Sequence, residues 1–266
     1  FGGTVVCIDM VEGLRKGFLS NVDYRMYTDN IDWDALKNLE GQSFTPKQIN
    51  RTLFIDQWDD SVVYELRKTW NEQDNPRAIV FCGTIDHANI MCTKLNALGF
   101  CNAAAIYSNS GSGYSMTQFE KNRILADFAD GIVNVVCTVD IFNEGIDVPD
   151  VNILVFQRVT HSRRIFIQQL GRGLRKYPGK EHVTVLDFIG NNYDRAVQIA
   201  MALGTLGKTT YMEKAYLKEM IRTNFDSLEL PDVKIMIDDL SKEEIINYID
   251  KTNFNSKQFL EKDYQN

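Results

Sequence analysis

Histidine is scarce, paired cysteine is missing and basic charge is in deficit, and each shortage removes a class of chemistry. The three histidines, His87, His161 and His182, lie far apart in the 266 residues. They offer no local ligand set for a zinc site and no Ser–His–Asp grouping. The five cysteines (Cys7, Cys82, Cys92, Cys101 and Cys137) form no C-x-x-C pair and are odd in number. Cys82 and Cys137 fall inside apolar runs, so the expectation is buried, reduced thiols in a cytoplasmic protein. No apolar run approaches the roughly 20 residues of a membrane-spanning helix, so no membrane partner is expected. No secretory signal pattern opens the chain. Its first residue is Phe1 rather than Met, which points to a piece of something longer. Lys and Arg number 29 against 36 Asp and Glu, giving a net charge of −7 and a pI of about 5.1. Such a balance argues against a generic basic nucleic-acid binder.

What is present fits a globular α/β protein. Hydrophobic residues make up 44% and charged residues 24%, as in soluble domains. Five short apolar runs read as buried strands: 78–82 (AIVFC), 103–107 (AAAIY), 133–139 (VNVVCTV), 152–157 (NILVFQ) and 183–189 (VTVLDFI). They are continuous rather than alternating, which suits parallel strands covered on both faces. Helical patterns lie between them. Residues 86–99 space Ile90, Leu95 and Leu98 along a helix that ends on Gly99, and 118–131 place Ile124, Leu125 and Phe128 on one side. Residues 59–72 set Val62, Val63, Leu66 and Trp70 toward the first sheet strand. Strand–helix alternation with short loops predicts a parallel sheet, with ligands beyond the carboxyl ends of its strands. Residues 20–50 read as polar and mixed. After Gly190 the pattern turns helical, with Ser241 and Glu244 at capping-box spacing. The expected organisation is an inter-domain linker over 1–58, a sheet domain over 59–190 and a helical extension over 191–266.

Charge is segregated. Between Arg158 and Lys180 stand seven basic residues (Arg158, Arg163, Arg164, Arg172, Arg175, Lys176, Lys180) and no acid. Charge acts over a Debye length of about 8–10 Å, so such an island suits a phosphate-facing surface; a solvated helix face is the plainer reading. Within it, QQLGRGLR (168–175) follows the spacing Q-x-x-G-R-x-x-R. On a helix this puts Gln168, Arg172 and Arg175 on one face, while Gly171 leaves room for close approach. Two arginines on one face without a nearby acid suit an incoming triphosphate, whose developing charge guanidinium groups neutralise. An exposed basic helix end favoured by the helix dipole is the alternative. Upstream, TVDIFNEGIDVPDVNILVFQR (138–158) holds Thr138 near the end of a buried strand, where a hydroxyl can meet a phosphate. Gly145 permits unusual dihedrals and Pro149 fixes φ. Asp147 is placed to face a ribose hydroxyl or an arginine, or to cap a turn.

T-x₅-E-G-I-D-V-P followed by Q-x-x-G-R-x-x-R resembles motifs V and VI of superfamily 2 helicases and translocases. AIVFCGTIDHANIMCTKLNALG resembles motif IV, Tyr107-Ser108 the next motif-bearing strand end, and NRILADFADG the helix before motif V. The text is most similar to DEAD/DEAH-type proteins related to type I and III restriction motor subunits and to XP-B-like repair helicases. The resemblance implies a RecA-like three-layer sandwich with a mainly parallel sheet, the second motor domain, plus a helical C-terminal appendage. It implies arginine fingers at Arg172 and Arg175, aimed at ATP and Mg²⁺ held mainly by a first RecA-like domain. Gln168 would order that site; Gly145 and Asp147 would approach the ribose. Thr138, Gly83, Thr84 and Arg158 would contact the backbone of a DNA strand.

A motor of this family also needs a G-x-G-K-T loop and a D-E-x-x pair, and neither precedes residue 190. Gly207-Lys208-Thr209 follows a helical pattern, with Ala202 and Thr205 where the loop's patterns ask for Gly, and reads as a helix end. Asp59-Asp60 and Asp238-Asp239 read as helix-entry carboxylates. The chain therefore carries half an ATPase site and is expected to be inactive alone. Two other functions fit the resemblance: a non-catalytic nucleic-acid- or protein-binding module of this fold, or an RNA helicase of the same superfamily.

Overall fold

The computed structural model describes residues 13, 16–27, 55–108, 115–139, 150–157, 169–171, 173–189, 193, 196–197, 214–226, 233–237 and 239–254. In chain order the elements are β1 (Asn21–Tyr27), α1 (Ile55–Trp70), β2 (Ala78–Phe81), α2 (Ile85–Leu98), β3 (Ala103–Tyr107), α3 (Gln118–Ala129), β4 (Val135–Val139), β5 (Ile153–Phe156), β6 (His182–Phe188), α4 (Lys214–Arg222), β7 (Val233–Ile237) and α5 (Asp239–Lys251). The seven strands form one sheet in the order β3-β4-β2-β5-β6-β1-β7. Every ladder in it is parallel. This is the α/β, RecA-like architecture, with helices on both faces.

The five continuous apolar runs are the strands β2 to β6. β2 and β5 are buried along their whole length, because side chains on both of their faces meet helices. One apolar layer joins Phe81, Val136, Phe156 and Val185 to Phe128 of α3, to Leu170 and Leu174, and to α4 and α5. Phe81 and Phe156 stack there with ring centroids 4.8 Å apart. The other layer joins Val80, Cys137, Val155 and Phe188 to Val62 and Leu66 of α1 and to Met91 and Leu95 of α2. Cys82, Cys92, Cys101 and Cys137 are buried free thiols. Burial holds the Cys101 thiol up at about 12, so little thiolate forms near neutral pH.

Two strands depart from the expectation. β1 lies in the stretch read as polar and mixed, and pairs with β6. β7 lies between the C-terminal helices and pairs with β1. Both alternate: Val22, Tyr24 and Met26 are buried while their neighbours are not, and Ile235 and Ile237 are buried beside exposed Lys234 and Met236. A strand with one face well covered shows period two rather than a continuous run, so a search for continuous runs passes over it.

The helices need smaller corrections. α1 starts at Ile55 rather than 59 and lies across β5 and β6. On α2, Ile90 and Leu98 face solvent, at 47% and 46% exposure; the buried stripe is Ala88, Met91, Cys92 and Leu95. Gly99 takes the left-handed C-cap (φ 67°) that the sequence pattern anticipates. The capping box belongs to α3, where Thr117 and Glu120 exchange bonds. At α5 the helix already begins at Asp239, so Ser241 is an interior, buried residue.

Candidate functional site

The strand order sets β4, β2 and β5 side by side, so their carboxyl ends form one edge. Thr138 pairs with Phe81 in register, and Phe81 with Phe156. The register continues one step beyond the strands. The Cys82 amide donates to the Thr138 carbonyl at 2.9 Å, and the Gln157 amide to the Phe81 carbonyl at 3.1 Å. Thr138, Gly83 and Thr84 are thereby brought together at the carboxyl edge, with Gln157 beside them.

The surroundings of the three differ. Thr138 is 1% exposed, and its Oγ1 has no hydrogen-bond partner among the described residues. Leaving a buried hydroxyl unmet costs about 1–3 kcal/mol, so its retention calls for a reason beyond stability. Gly83 is exposed, and a Cβ built on it meets nothing within 4 Å. Thr84 is the N-cap of α2: its hydroxyl accepts from the His87 amide at 3.1 Å. That hydroxyl can therefore meet a phosphate only as a donor. Asp86 already supplies the negative charge that the first turn favours.

Beneath this edge lies a polar cluster that sequence reasoning passed over. Asp59 of α1 is 0% exposed. Its Oδ1 accepts from His87 Nε2 at 2.9 Å and from Gln157 Nε2 at 3.1 Å. Its Oδ2 has no partner among the described residues. Asp59 is thus no helix-entry carboxylate. The signal was available: Asp59, Val62, Val63, Leu66 and Trp70 share one helical stripe, and an acid on an apolar stripe needs a buried partner.

The QQLGRGLR segment is helical at 169–171 and 173 among its described residues. Leu170 and Leu174 point into the core. Close approach happens at Gly173 rather than Gly171. A Cβ on Gly173 would stand 2.5 Å from Leu154 Cδ1 of β5, whereas one on Gly171 meets nothing within 4 Å. Lys180 Nζ fastens the segment end by donating to the Gly173 carbonyl at 2.9 Å and the Val151 carbonyl at 3.2 Å. Burial pushes its ammonium down to about 8, against the opposing pull of Asp150. Lys180 thus leaves the basic island for a structural post.

Arg175 is exposed. Its backbone bridges Leu19, and the Ser20 amide donates to the Leu174 carbonyl at 2.8 Å. Ser20 immediately precedes β1, whose first residue pairs with the first of β6. Arg175 therefore sits by the amino ends of these strands, away from Thr138, Gly83 and Thr84. Those three lie at the carboxyl edge and Arg175 does not, because Leu170 and Leu174 before it pack on the sheet face and Arg175 pairs with Leu19. Gln168, Arg172, Gly145, Asp147 and Arg158 lie outside the described residues, as does Gly207-Lys208-Thr209. No group of three or more His, Cys, Asp or Glu side chains could hold a metal among the described residues. No described helix is long and apolar enough to cross a membrane.

Known proteins are similar to this chain. IRC3 of Saccharomyces cerevisiae, named as an ATP-dependent helicase, is 32% identical over 103 residues, which is 39% of this chain and 15% of that protein. The EcoKI endonuclease subunit of a type I restriction enzyme from Escherichia coli is 27% identical over 144 residues, 52% of this chain and 12% of that one. ATP-dependent RNA helicases are similar to it as well. Among solved structures, an HsdR-subunit fragment of a type I restriction enzyme from Vibrio vulnificus superposes with a TM-score of 0.51 at 21% identity, over 69% of this chain and 35% of that one. The chain thus spans a small part of the curated relatives it matches. The model of the helicase conserved C-terminal domain matches residues 60–177. Over those residues the chain carries a helicase conserved C-terminal domain, in keeping with the resemblance of its motifs to superfamily 2.

Proposed function

We propose that this chain is the second motor domain of an ATP-dependent DNA helicase or translocase and completes an ATPase site built mainly by a first RecA-like domain. The observation that carries the reading is Arg175, exposed at the end of a segment that Gly173 packing and Lys180 clamp to the sheet. A guanidinium on a rigid mount is what a γ-phosphate in transfer requires; such a finger is worth roughly 10³–10⁵ in rate. Arg172 is the second finger, and Gln168 orders the attacking water. Gly145 and Asp147 approach the ribose, and ATP with Mg²⁺ rests on the partner domain. At the carboxyl edge, Thr138, Gly83 and Thr84 face the backbone of the tracked strand, with Arg158 as a further contact. Likeness to the EcoKI subunit supports DNA as the substrate; likeness to RNA helicases supports the second reading, RNA.

The test is ATP turnover by the purified 266-residue chain, measured alone and again joined to its first RecA-like domain, with duplex DNA or RNA added. The chain alone is expected to be inactive and the joined protein active, with DNA stimulating more than RNA. Sustained turnover by the chain alone overturns the shared-site reading; stimulation by RNA only moves the substrate to RNA.

A further inference from the structure

Asp59, His87 and Gln157 come from three separate elements and meet in one buried cluster. Asp59 is on α1, His87 in the first turn of α2, and Gln157 one residue past β5. Since an ionised carboxylate only accepts, His87 Nε2–H and Gln157 Nε2–H both donate to Asp59 Oδ1. Gln157 Oε1 faces Cys82 Sγ at 3.8 Å, so the cluster reaches the residue before Gly83. His87 also gives its backbone amide to Thr84.

The cluster is a poor way to hold a core together. One carboxylate oxygen of Asp59 is buried and unmet among the described residues. A buried charge with an unsatisfied oxygen is commonly no better than apolar packing, and often worse. What it does achieve is spacing. It fixes the start of α2, carrying Gly83-Thr84, against the end of β5, which leads into Arg158. Gly83 and Thr84 are residues that the proposed function places on the nucleic-acid backbone.

We infer that Asp59 and His87 are positioning residues that hold the Gly83-Thr84 segment against the carboxyl end of β5, in the place a nucleic-acid backbone requires. The inference rests on the proposed nucleic-acid edge. It assigns to these residues neither contact with the substrate nor any part in ATP chemistry.

The experiment uses the protein that carries both motor domains and titrates its ATP turnover with a duplex DNA oligonucleotide and with an RNA of the same sequence. His87→Leu removes the donor to Asp59; His87→Gln keeps an amide N–H near the place of Nε2. Gly83→Asp adds negative charge at an exposed position with open space around its Cβ, and so tests the edge itself. The half-saturating oligonucleotide concentration is expected to rise about ten-fold in His87→Leu, since small misplacements of contact groups have effects of this order. The kcat at saturation should stay at the parent value while the unfolding temperature falls, because buried Asp59 loses one of its two donors; His87→Gln should restore parental half-saturation. If Gly83→Asp shifts half-saturation and His87→Leu does not, the positioning role fails while the edge stands. If neither shifts it, or neither nucleic acid stimulates turnover, the edge reading fails and the inference with it. If His87→Leu lowers kcat and unfolding temperature together, or His87→Gln behaves like His87→Leu, the cluster is merely structural and the inference is overturned.

Discussion

Gly171 and Gly173 meet opposite demands inside one short helix. At Gly173 the helix rests on Leu154 so closely that a methyl group has no room, while Gly171 faces open space. Gly173→Ala is therefore expected to lower unfolding free energy by about 1–3 kcal/mol, the usual cost of overpacking a filled core. Gly171→Ala should leave stability unchanged or raise it by up to about 1 kcal/mol through helix propensity. Urea unfolding of both variants checks this, and equal losses would contradict the packing described. The motif spacing singled out Gly171, but which glycine bears on the sheet depends on where the helix crosses β5, which local spacing does not encode. Asp59 is the converse case. Its place on an apolar stripe was readable, yet its partners His87 and Gln157 stand 28 and 98 residues away. Sequence could mark the need for a partner without naming it.

The elements divide by coverage. β2 to β6 were legible because helices cover both faces and most of their residues are apolar. β1 and β7 were not, because only one face of each is well buried. The apolar stripe of α2 was misread because Ala88 and Cys92, both buried, are weaker signals than exposed Ile90 and Leu98. At the junction of the 168–175 segment with β5, Lys180 carries a testable electrostatic load. Its folded-state value is near 8 against an ordinary 10.5, with burial as the cause. The unfolded chain therefore binds more protons than the native one between pH 8 and 10.5, and Lys180's contribution to stability rises with pH across that window. The stability difference between the parent and Lys180→Met should accordingly shift in the parent's favour from pH 8 to pH 10. The comparison with Lys180→Met cancels the opposing effect of the buried thiols. A difference that stays flat would show that burial does not disfavour the ammonium.

At the scale of the whole molecule the sheet separates the residues to which the proposed function gives two different tasks. Its carboxyl edge gathers Thr138, Gly83 and Thr84, while the return of the chain after β5 carries Arg175 to the amino ends of β1 and β6. A net charge of −7 is compatible with the proposed anionic ligands, since they need only local basic ground. The fold class and motif order were readable because they follow from consecutive apolar runs and fixed spacings. The separation of the edges was not, because it rests on the long-range bridge of Arg175 to Leu19. The central claim is that Arg175 stabilises charge on ATP held by another domain. The direct measurement is nucleic-acid-stimulated ATP turnover of the two-domain protein with Arg175→Ala, beside Arg175→Lys. The account predicts a fall in kcat of roughly 10³–10⁵ in Arg175→Ala, little recovery in Arg175→Lys because an ammonium lacks the planar fork, and an unchanged half-saturating nucleic-acid concentration. Turnover at the parent rate in Arg175→Ala would contradict it.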